Sequence, residues 1–293
     1  MQIVEYHEKL LPSLTRLINQ HIAAIPPGFT LSEDEVGQII RGGGSLWLLH
    51  FPEEREPYST GTICVLEHRE VVAAAQWTLP KEADGIFTLE WILSDPKSWL
   101  PLKTLLHLLE KQVEMSGCRS IECGRFSFGV GWPGLPTTWK HIIDGMRDAG
   151  YRQSQTWLIM QGETSIHATL TPPPSDGLRF YWNMNKPSLE WDVTAYRGDI
   201  LLGECQVWGI PPHLEDRPDL ADWATVEYLG VEPPFHRQGF GRRLLAEQMR
   251  FHARRGIQHF IVWAQTDNLA ARKLNESLGF AYGPELAVME KSS

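Results

Sequence analysis

The sequence predicts an α+β protein made of two similar halves, and three observations support this fold class. Short alternating runs, typical of strands, are interspersed with longer runs that have apolar residues three and four apart, typical of helices. A proline run, Pro172-Pro173-Pro174, interrupts this pattern near the middle of the 293 residues. After it, the order strand, strand, strand, helix, strand, helix, strand recurs, which indicates an internal duplication.

The proline run predicts a division of the chain into two domains. We place a first domain over residues 1–165, a proline-rich linker over 166–178 and a second domain over 179–293. A chain of this length is also more typical of two domains than of one.

Composition excludes several classes of partner. The formal net charge of −9 argues against nucleic acid, because phosphate binding needs a basic face. No apolar run approaches the roughly 20 residues of a membrane span, and the first residues contain no apolar signal segment. The four cysteines lack metal-ligand spacing and are expected to be reduced and mostly buried. We therefore expect a cytoplasmic protein with no nucleic-acid, membrane or metal partner; the oligomeric state is left open.

In the first half, Ser32 and Glu35 form the pattern of a capping box, and Gly117 is placed to end a helix. The elements predicted there are, in order, helices near 7–24 and 31–41, strands near 61–66, 71–78 and 86–93, a helix near 100–115, a further strand, a helix near 137–149 and a strand near 155–161.

In the second half, strands are predicted near 189–197, 200–208, 224–231, 260–265 and 285–290, with helices near 242–255 and 268–278. The pair Leu105-Leu106 stands in the same relation to Gly117 as Leu244-Leu245 to Gly256, and Gly150 matches Gly279. The two leading helices of the first half have no counterpart after the linker.

The junction between the strand near 224–231 and the next helix predicts an anion site. Gly239 and Gly241 permit positive φ and close approach to the backbone, and the following helix begins with unpaired N–H groups. Arg237 and Arg242 add positive charge. These features are typical of a pyrophosphate site, although an ordinary glycine-rich turn has the same residues. The chain lacks the G-K-[ST] of a nucleotide P-loop and the third glycine of a dinucleotide fingerprint.

Two motifs here resemble those of the GNAT acetyltransferases. Val231-Glu232-Pro233 and the stretch 236–241, H-R-Q-G-F-G, resemble the family's V-x-P followed by [QR]-x-x-G-x-[GA]. The second signature, N-x-x-A-x-x-L-Y-x-x-x-G-F, is met at Asn268, Ala271, Leu274, Gly279 and Phe280. The resemblance covers about residues 185–290, and the first half only by its order of elements. It implies two tandem GNAT-like domains, each a mixed, mostly antiparallel sheet flanked by helices.

The resemblance implies acetyl-CoA as co-substrate and assigns residues to it. Backbone groups of Leu229 and Val231 would hold the pantetheine arm. Asn268 would contact the pantetheine or pyrophosphate, or act only as a helix N-cap. The phosphates would be held by Arg237, Gln238, Gly239, Phe240, Gly241 and Arg242.

For the chemistry, Glu227 is the candidate general base, since alternation predicts that it shares a strand face with Leu229 and Val231. The alternative is a carboxylate that only orders the site or binds substrate. Asn275 replaces the tyrosine of the family's motif, so Tyr282 or water is the candidate acid.

Three further positions depart from the family's pattern or support it less directly. Many members carry the base one pleat before Glu227, where this sequence has Thr225. Tyr228 is predicted on the opposite strand face, as a packing residue. His236 replaces the signature's Arg or Gln and is interpreted mainly as a solvated turn residue.

The resulting hypothesis is an N-acetyltransferase that acetylates a small amine at one site in the second domain. In the first half, residues 94–101 stand where the phosphate loop should be and contain no glycine, so this half is interpreted as a degenerate copy. Its Trp132 and Trp139 would either wall the substrate cleft or pack internally. The alternative is a non-catalytic acyl-CoA-binding sensor or scaffold; a resemblance to mycothiol synthase rests on architecture alone.

Overall fold

The structure is a computed structural model that describes residues 1–41, 59–79, 85–124, 132–165, 177–185, 190–209 and 217–292. The described residues form thirteen strands and six α-helices. They divide into two compact units, which we call unit 1 (Met1–Trp157 and Pro284–Ser293) and unit 2 (Leu158–Gly283).

The first ten elements all belong to unit 1. They are β1 (Gln2–Glu5), α1 (Leu11–Ile22), α2 (Glu33–Arg41), β2 (Ser59–Glu67), β3 (Glu70–Leu79), β4 (Ile86–Ser94), α3 (Trp99–Ser116), β5 (Ser120–Cys123), β6 (Leu135–Pro136) and α4 (Lys140–Asp148).

The remaining elements run to the end of the chain. They are β7 (Arg152–Glu163), β8 (Leu178–Asn185), β9 (Glu190–Arg197), β10 (Ile200–Gly209), β11 (Trp223–Val231), α5 (Phe240–Ala253), β12 (His259–Gln265), α6 (Leu269–Glu276) and β13 (Ala281–Ser292).

In unit 1 the strand order is β1-β2-β3-β4-β5-β13. The pairs are antiparallel except for β4 and β5, which run parallel. Helices α1 and α3 both contact β3. Phe87 and Trp91 of β4 are completely buried in this unit. Unit 1 is thus a mixed, mostly antiparallel sheet flanked by helices, as predicted.

In unit 2 the strand order is β7-β12-β11-β10-β9-β8, and β11 pairs in parallel with β12. From β8 to β11, each strand is antiparallel to the next. Helix α5 packs on β9, β10 and β11 and buries Leu244, Leu245 and Met249 in the core of this unit. The helix predicted near 242–255 is therefore confirmed, although its buried side also includes the polar residues Gln248, Arg250 and His252.

Most predicted elements are confirmed, with ends shifted by a few residues. The capping box of α2 forms: the Ser32 N–H donates to the Glu35 carboxylate at 2.6 Å, and the Glu35 N–H donates to Ser32 Oγ at 3.2 Å. Gly117 ends α3 with a φ of 70°. Strands β1, β6 and β8 were not predicted.

The compact units do not follow chain order. Residues 158–163 of β7 end the first half of the sequence but lie in unit 2, and residues 284–292 of β13 lie in unit 1, where β13 pairs with β5. The predicted domains differ from the units at these two strands, and the domain division stays a prediction. Apart from its last two residues, the predicted linker falls outside the described residues. Among the described residues, no helix has the length and apolarity needed to cross a membrane.

Candidate functional site

The strand that leads into the glycine loop separates from its neighbour part of the way along. Both β11 and β12 are described in full, and their parallel ladder ends where Val226 lies opposite Val262. β11 continues to Val231, still paired with β10 on its other edge. Residues 227–231 therefore have a strand neighbour on one side only among the described residues.

A β-bulge lies where the two strands part. Gln206 of β10 is opposite Tyr228, and the next residue, Val207, is opposite Val226. Glu227 is thus the extra residue of the bulge, and it is exposed. The residue one pleat earlier, Thr225, is buried.

The bulge changes which face Glu227 occupies. Val226, before the bulge, lies in the core, and Leu229 and Val231, after it, pack against that core. Strict alternation would put Val226 and Leu229 on opposite faces. The prediction that Glu227 shares a face with Leu229 and Val231 is therefore wrong, because the inserted residue shifts the alternation. Tyr228 is on the face opposite Leu229, as predicted, but is 48% exposed.

The backbone of β11 beyond the bulge points alternately to β10 and to the open edge. The Glu232 N–H donates to the Leu202 carbonyl at 2.9 Å, so by alternation Leu229 and Val231 direct their N–H and C=O groups to the open edge. One of these groups is already engaged, since His236 Nε2 lies 2.8 Å from the Val231 carbonyl and donates to it. His236 is therefore more than a solvated turn residue.

The loop after β11 forms a concave backbone. Residues Pro233–Phe235 form one turn of 3-10 helix, and Gln238 Nε2 donates to the Pro234 carbonyl at 3.2 Å. Arg237 and Gly239 both adopt positive φ, at 61° and 82°. When left-handed residues alternate with right-handed ones, successive backbone N–H groups point into the same concavity. Such a concavity, called a nest, binds anions.

The helix that follows presents its N-terminus to this loop. Gly239 is the N-cap of α5, and no side chain caps the first N–H groups of this 14-residue helix. A Cβ at Gly239 would meet no atom within 4 Å, so the space beside it is open. Phe240 is buried, which leaves only its backbone for a ligand. Gly241 is buried, and a Cβ there would lie only 2.9 Å from Leu274 Cδ1.

The arginines near the loop differ in their availability. Arg237 is exposed, whereas Arg242 donates to the Ser277 carbonyl at the end of α6, at 2.7 Å. Arg197 was not predicted as part of the site; its guanidinium carbon lies 5.4 Å from the centroid of the Phe240 ring. Since Phe240 begins α5, Arg197 adds a positive charge near the helix N-terminus. No local pattern could have indicated it, because it lies at the far end of β9.

Helix α6 carries the second motif, mostly in structural roles. Asn268 Oδ1 accepts the Ala271 N–H at 3.1 Å, so this residue is the N-cap of α6. Asn275 is buried, and its Nδ2 lies 3.7 Å from Met160 Sδ. The residue that replaces the family's tyrosine thus points into the core.

Tyr282, the candidate acid, lies beside α6. Its hydroxyl donates to the Glu276 carboxylate and accepts from Arg272 Nη2 at 3.3 Å. The side chain is 46% exposed. The hydrogen bonds of its hydroxyl therefore hold Tyr282 to α6, the helix of Arg272 and Glu276.

Nucleophilic cysteine and metal chemistry find no support among the described residues. Cys205 lies opposite Leu229, but burial, with a smaller contribution from the Asp192 charge, raises the pKa of its thiol. All four cysteines are buried and free, as expected. In the described part of the chain, no group of three or more His, Cys, Asp or Glu residues is arranged to hold a metal ion.

Unit 1 repeats part of this arrangement. The pairs Gln76–Trp91 and Trp77–Leu89 place Glu90 in a bulge of β4, as Glu227 is placed in β11. Glu90 is buried and accepts a hydrogen bond from Thr78 Oγ1 at 2.9 Å. Strand β4 leads directly to α3 through Asp95, whose carboxylate accepts the Lys97 N–H.

Trp132 and Trp139 are both buried in unit 1, and Trp139 lies edge-on to His21 at a centroid distance of 5.0 Å. These contacts correspond to the packing alternative for the two tryptophans.

Comparison with solved structures defines the class of fold. A tandem GNAT protein from the clavulanic acid biosynthesis pathway superposes with a TM-score of 0.70 at 11% identity, covering 99% of this chain and 98% of that one. A GCN5-related N-acetyltransferase from Sphaerobacter thermophilus gives a TM-score of 0.66 at 15% identity, covering 99% and 95%. The chain therefore has a tandem GNAT fold, an α+β architecture.

The family assignment comes from sequence. Residues 157–280 match the model of the acetyltransferase (GNAT) family, so this part of the chain is a GNAT domain. The fold and the domain are those of acyltransferases. Among curated proteins, none is significantly similar to the chain.

Proposed function

We propose that this protein is an N-acetyltransferase that transfers an acetyl group from acetyl-CoA to the amine of a small molecule. The observation that carries the proposal is the uncapped N-terminus of α5, preceded by two left-handed residues, Arg237 and Gly239. Such a helix start favours a phosphate group through its N–H groups and its dipole. The active site would lie in the second domain, over residues 179–293.

The residues present fit acetyl-CoA, which when bound supplies an activated acetyl group. The loop N–H groups and the first turn of α5 would hold the pyrophosphate, with Arg237 and Arg197 adding charge. The open edge of β11 would hold the pantetheine arm through the backbone of Leu229 and Val231. The bond from His236 leaves the second lone pair of the Val231 carbonyl for a ligand.

Glu227 would accept the proton of the amine, directly or through a water. Its bulge turns it away from the core-packed face of β11 and places it beside the point where β11 and β12 separate. The amine would then approach from the exposed face of the sheet. Tyr282 remains the candidate acid, and it would have to leave Glu276 to donate its proton elsewhere.

A second candidate function is a GNAT-fold sensor or scaffold that binds acyl-CoA without turnover. The observation that favours it is Asn275, which is buried against Met160 where the family carries a tyrosine. In both candidates the first domain is a degenerate copy. Its Ser94-to-Trp99 connection has no glycine, and α3 begins without the left-handed residues that precede α5.

Release of the CoA thiol tests the proposal against the sensor. Acetyl-CoA is incubated with the protein and a panel of amines and amino acids, and free thiol is followed with a chromogenic disulfide. We expect at least one amine to raise thiol release well above the rate without acceptor. Background release with every amine, by a protein that binds acetyl-CoA, would favour the sensor.

A further inference from the structure

A cavity of about 360 Å³ lies in unit 1 between α3 and α4. It is lined on one side by Trp99, Lys103 and His107 of α3, and on the other by Gly145 and Asp148 of α4. Its volume is within the range of small-molecule pockets, about 300–1,000 Å³. The proposed acetyl-CoA site lies in the other unit, so a ligand site here is independent of the proposed function.

The repeat shows how the helix pair that frames this cavity differs from its counterpart in unit 2. Leu102 and Gly145 of unit 1 correspond in the repeat to Gly241 and Leu274 of unit 2. A Cβ on Gly145 would lie 2.5 Å from Leu102 Cδ2, and one on Gly241 would lie 2.9 Å from Leu274 Cδ1. Both units thus make the same helix contact between a leucine and a glycine. In unit 1 the leucine is on the first helix of the pair and the glycine on the second, and in unit 2 the order is reversed. In unit 1 the glycine of this contact is on α4, and it lines the cavity together with Asp148.

The polar residues at this position also differ between the repeats. In unit 2, Arg242 donates to the Ser277 carbonyl and so links α5 to α6. The corresponding residues of unit 1 are Lys103 and Asp148, and both line the cavity. The Lys103 ammonium lies 4.9 Å from the centroid of the Trp99 ring, on its own helix. The hydrogen bond that links the two helices in unit 2 is therefore replaced in unit 1 by two charged residues, Lys103 and Asp148, that line the same cavity.

The lining defines the chemistry of a ligand. Trp99 is 62% exposed, so its indole offers a flat apolar surface to a ring or a large aliphatic group. Glu110 also lines the cavity, but its carboxylate is paired with the Lys291 ammonium at 2.7 Å. The charges left for a ligand are one ammonium, on Lys103, and one carboxylate, on Asp148. A ligand that matches both needs one negative and one positive group next to an apolar body.

We propose that this cavity binds an α-amino acid with an aromatic or large apolar side chain. The side chain lies on Trp99, the carboxylate pairs with Lys103 and the ammonium pairs with Asp148. Lys103 leaves the indole face for the ligand carboxylate, since an exposed cation–π contact is weak. His107 offers a further hydrogen bond inside the cavity.

Calorimetric titration of the full chain with L-phenylalanine tests this site. We expect saturable binding with a dissociation constant of about 1 mM or tighter. Trp99→Ala and Asp148→Asn, both exposed positions, should each weaken it about tenfold. Trp182→Ala is the matched control, because it removes a surface tryptophan of unit 2 that is 37% exposed. Its dissociation constant should equal that of the unmodified protein.

Two ligand controls define the chemical class. Phenethylamine lacks the carboxylate and 3-phenylpropionate lacks the ammonium, so each should bind more weakly than L-phenylalanine. The proposal is overturned by an absence of saturable binding up to about 10 mM. It is also overturned if Trp99→Ala binds L-phenylalanine unchanged, or if either single-charge analogue binds as tightly as the amino acid.

Discussion

At the scale of single residues, the proposed chemistry depends on Glu227 and its bulge. The bulge gives this carboxylate an exposed position at the point where β11 loses its β12 neighbour. A general base must be able to reach the proton of the amine, and a bulge can re-aim a strand side chain for such a role.

We predict that Glu227→Gln lowers kcat by about 100-fold, because amide nitrogen and oxygen cannot accept the amine proton, and a general base typically contributes 10²–10⁴. The dissociation constant for acetyl-CoA should change less than about twofold, since the proposed cofactor contacts are backbone groups and arginines. Steady-state thiol release and calorimetry measure the two quantities.

The control for this variant is Glu232→Gln, which alters an exposed glutamate at the end of the same strand. The backbone N–H of Glu232 holds β10, but its carboxylate has no role in the proposed reaction. Its kcat should equal that of the unmodified protein. Equal kcat for Glu227→Gln would remove Glu227 from the mechanism and leave water or another group as the base.

Three residue-level features could not be predicted from sequence. Alternation gave the wrong face for Glu227, because one inserted residue reverses every later side chain, and the three-residue step from Val226 to Leu229 does not by itself indicate a bulge. The bond from His236 to Val231 and the position of Arg197 over Phe240 depend on how the loop and β9 meet in space.

At the scale of elements, the loop and helix at 233–253 could be predicted because their signals are local. Glycines mark positive φ, and the apolar repeat marks the helix. Gly239 indeed adopts a φ of 82° and caps α5. The positive φ of Arg237 had no signal, since arginine has no preference for that region.

The exchange of large and small residues between the two repeats is also an element-scale feature. Leu102 with Gly145, and Gly241 with Leu274, keep one helix contact with the two sizes reversed. In unit 2 the glycine lies in the first turn of α5, beside the proposed phosphate site. In unit 1 it lies on the other helix, so the proposed phosphate site has no counterpart glycine there.

At the scale of the whole molecule, the order of elements was predictable but the assignment of β7 and β13 to units was not. Both strands read as ordinary half-buried strands, and the partner of a strand is set by contacts far away in sequence. The duplication was visible because both halves repeat the same order of elements. Which unit receives each final strand needed the structure.

Acid stability is a property of the whole fold, and His252 contributes to it. Its ring is buried among aromatic residues, and its Nδ1 donates to the Gln248 carbonyl at 2.9 Å. Burial, and then the Arg255 charge, lower the pKa of His252 from 6.5 to about 4. The folded protein therefore keeps this imidazole neutral, whereas the unfolded chain protonates it below pH 6.5.

Because the unfolded chain binds the proton first, the contribution of His252 is complete above pH 6.5 and is lost as the pH falls towards 4. Between about pH 7.5 and pH 4.5 we expect a loss on the order of 2–3 kcal/mol from this group. Urea unfolding at both values measures it. In His252→Gln the acid-dependent loss should shrink by a similar amount; an unchanged loss would contradict the assignment.

Calorimetric titration of the full chain with acetyl-CoA tests the central claim most directly. We predict one site per chain. Gly239→Asp should abolish binding, because it adds a Cβ and a negative charge where the pyrophosphate is proposed. Gly256→Asp is the matched control: it makes the same change beyond the other end of α5, at a φ of 90° and equally in open space. This variant should carry the same backbone strain of about 1–2 kcal/mol, because both glycines have a positive φ, but it should bind acetyl-CoA as the unmodified protein does. No binding by the unmodified protein, two sites per chain, or unimpaired binding by Gly239→Asp would contradict the account.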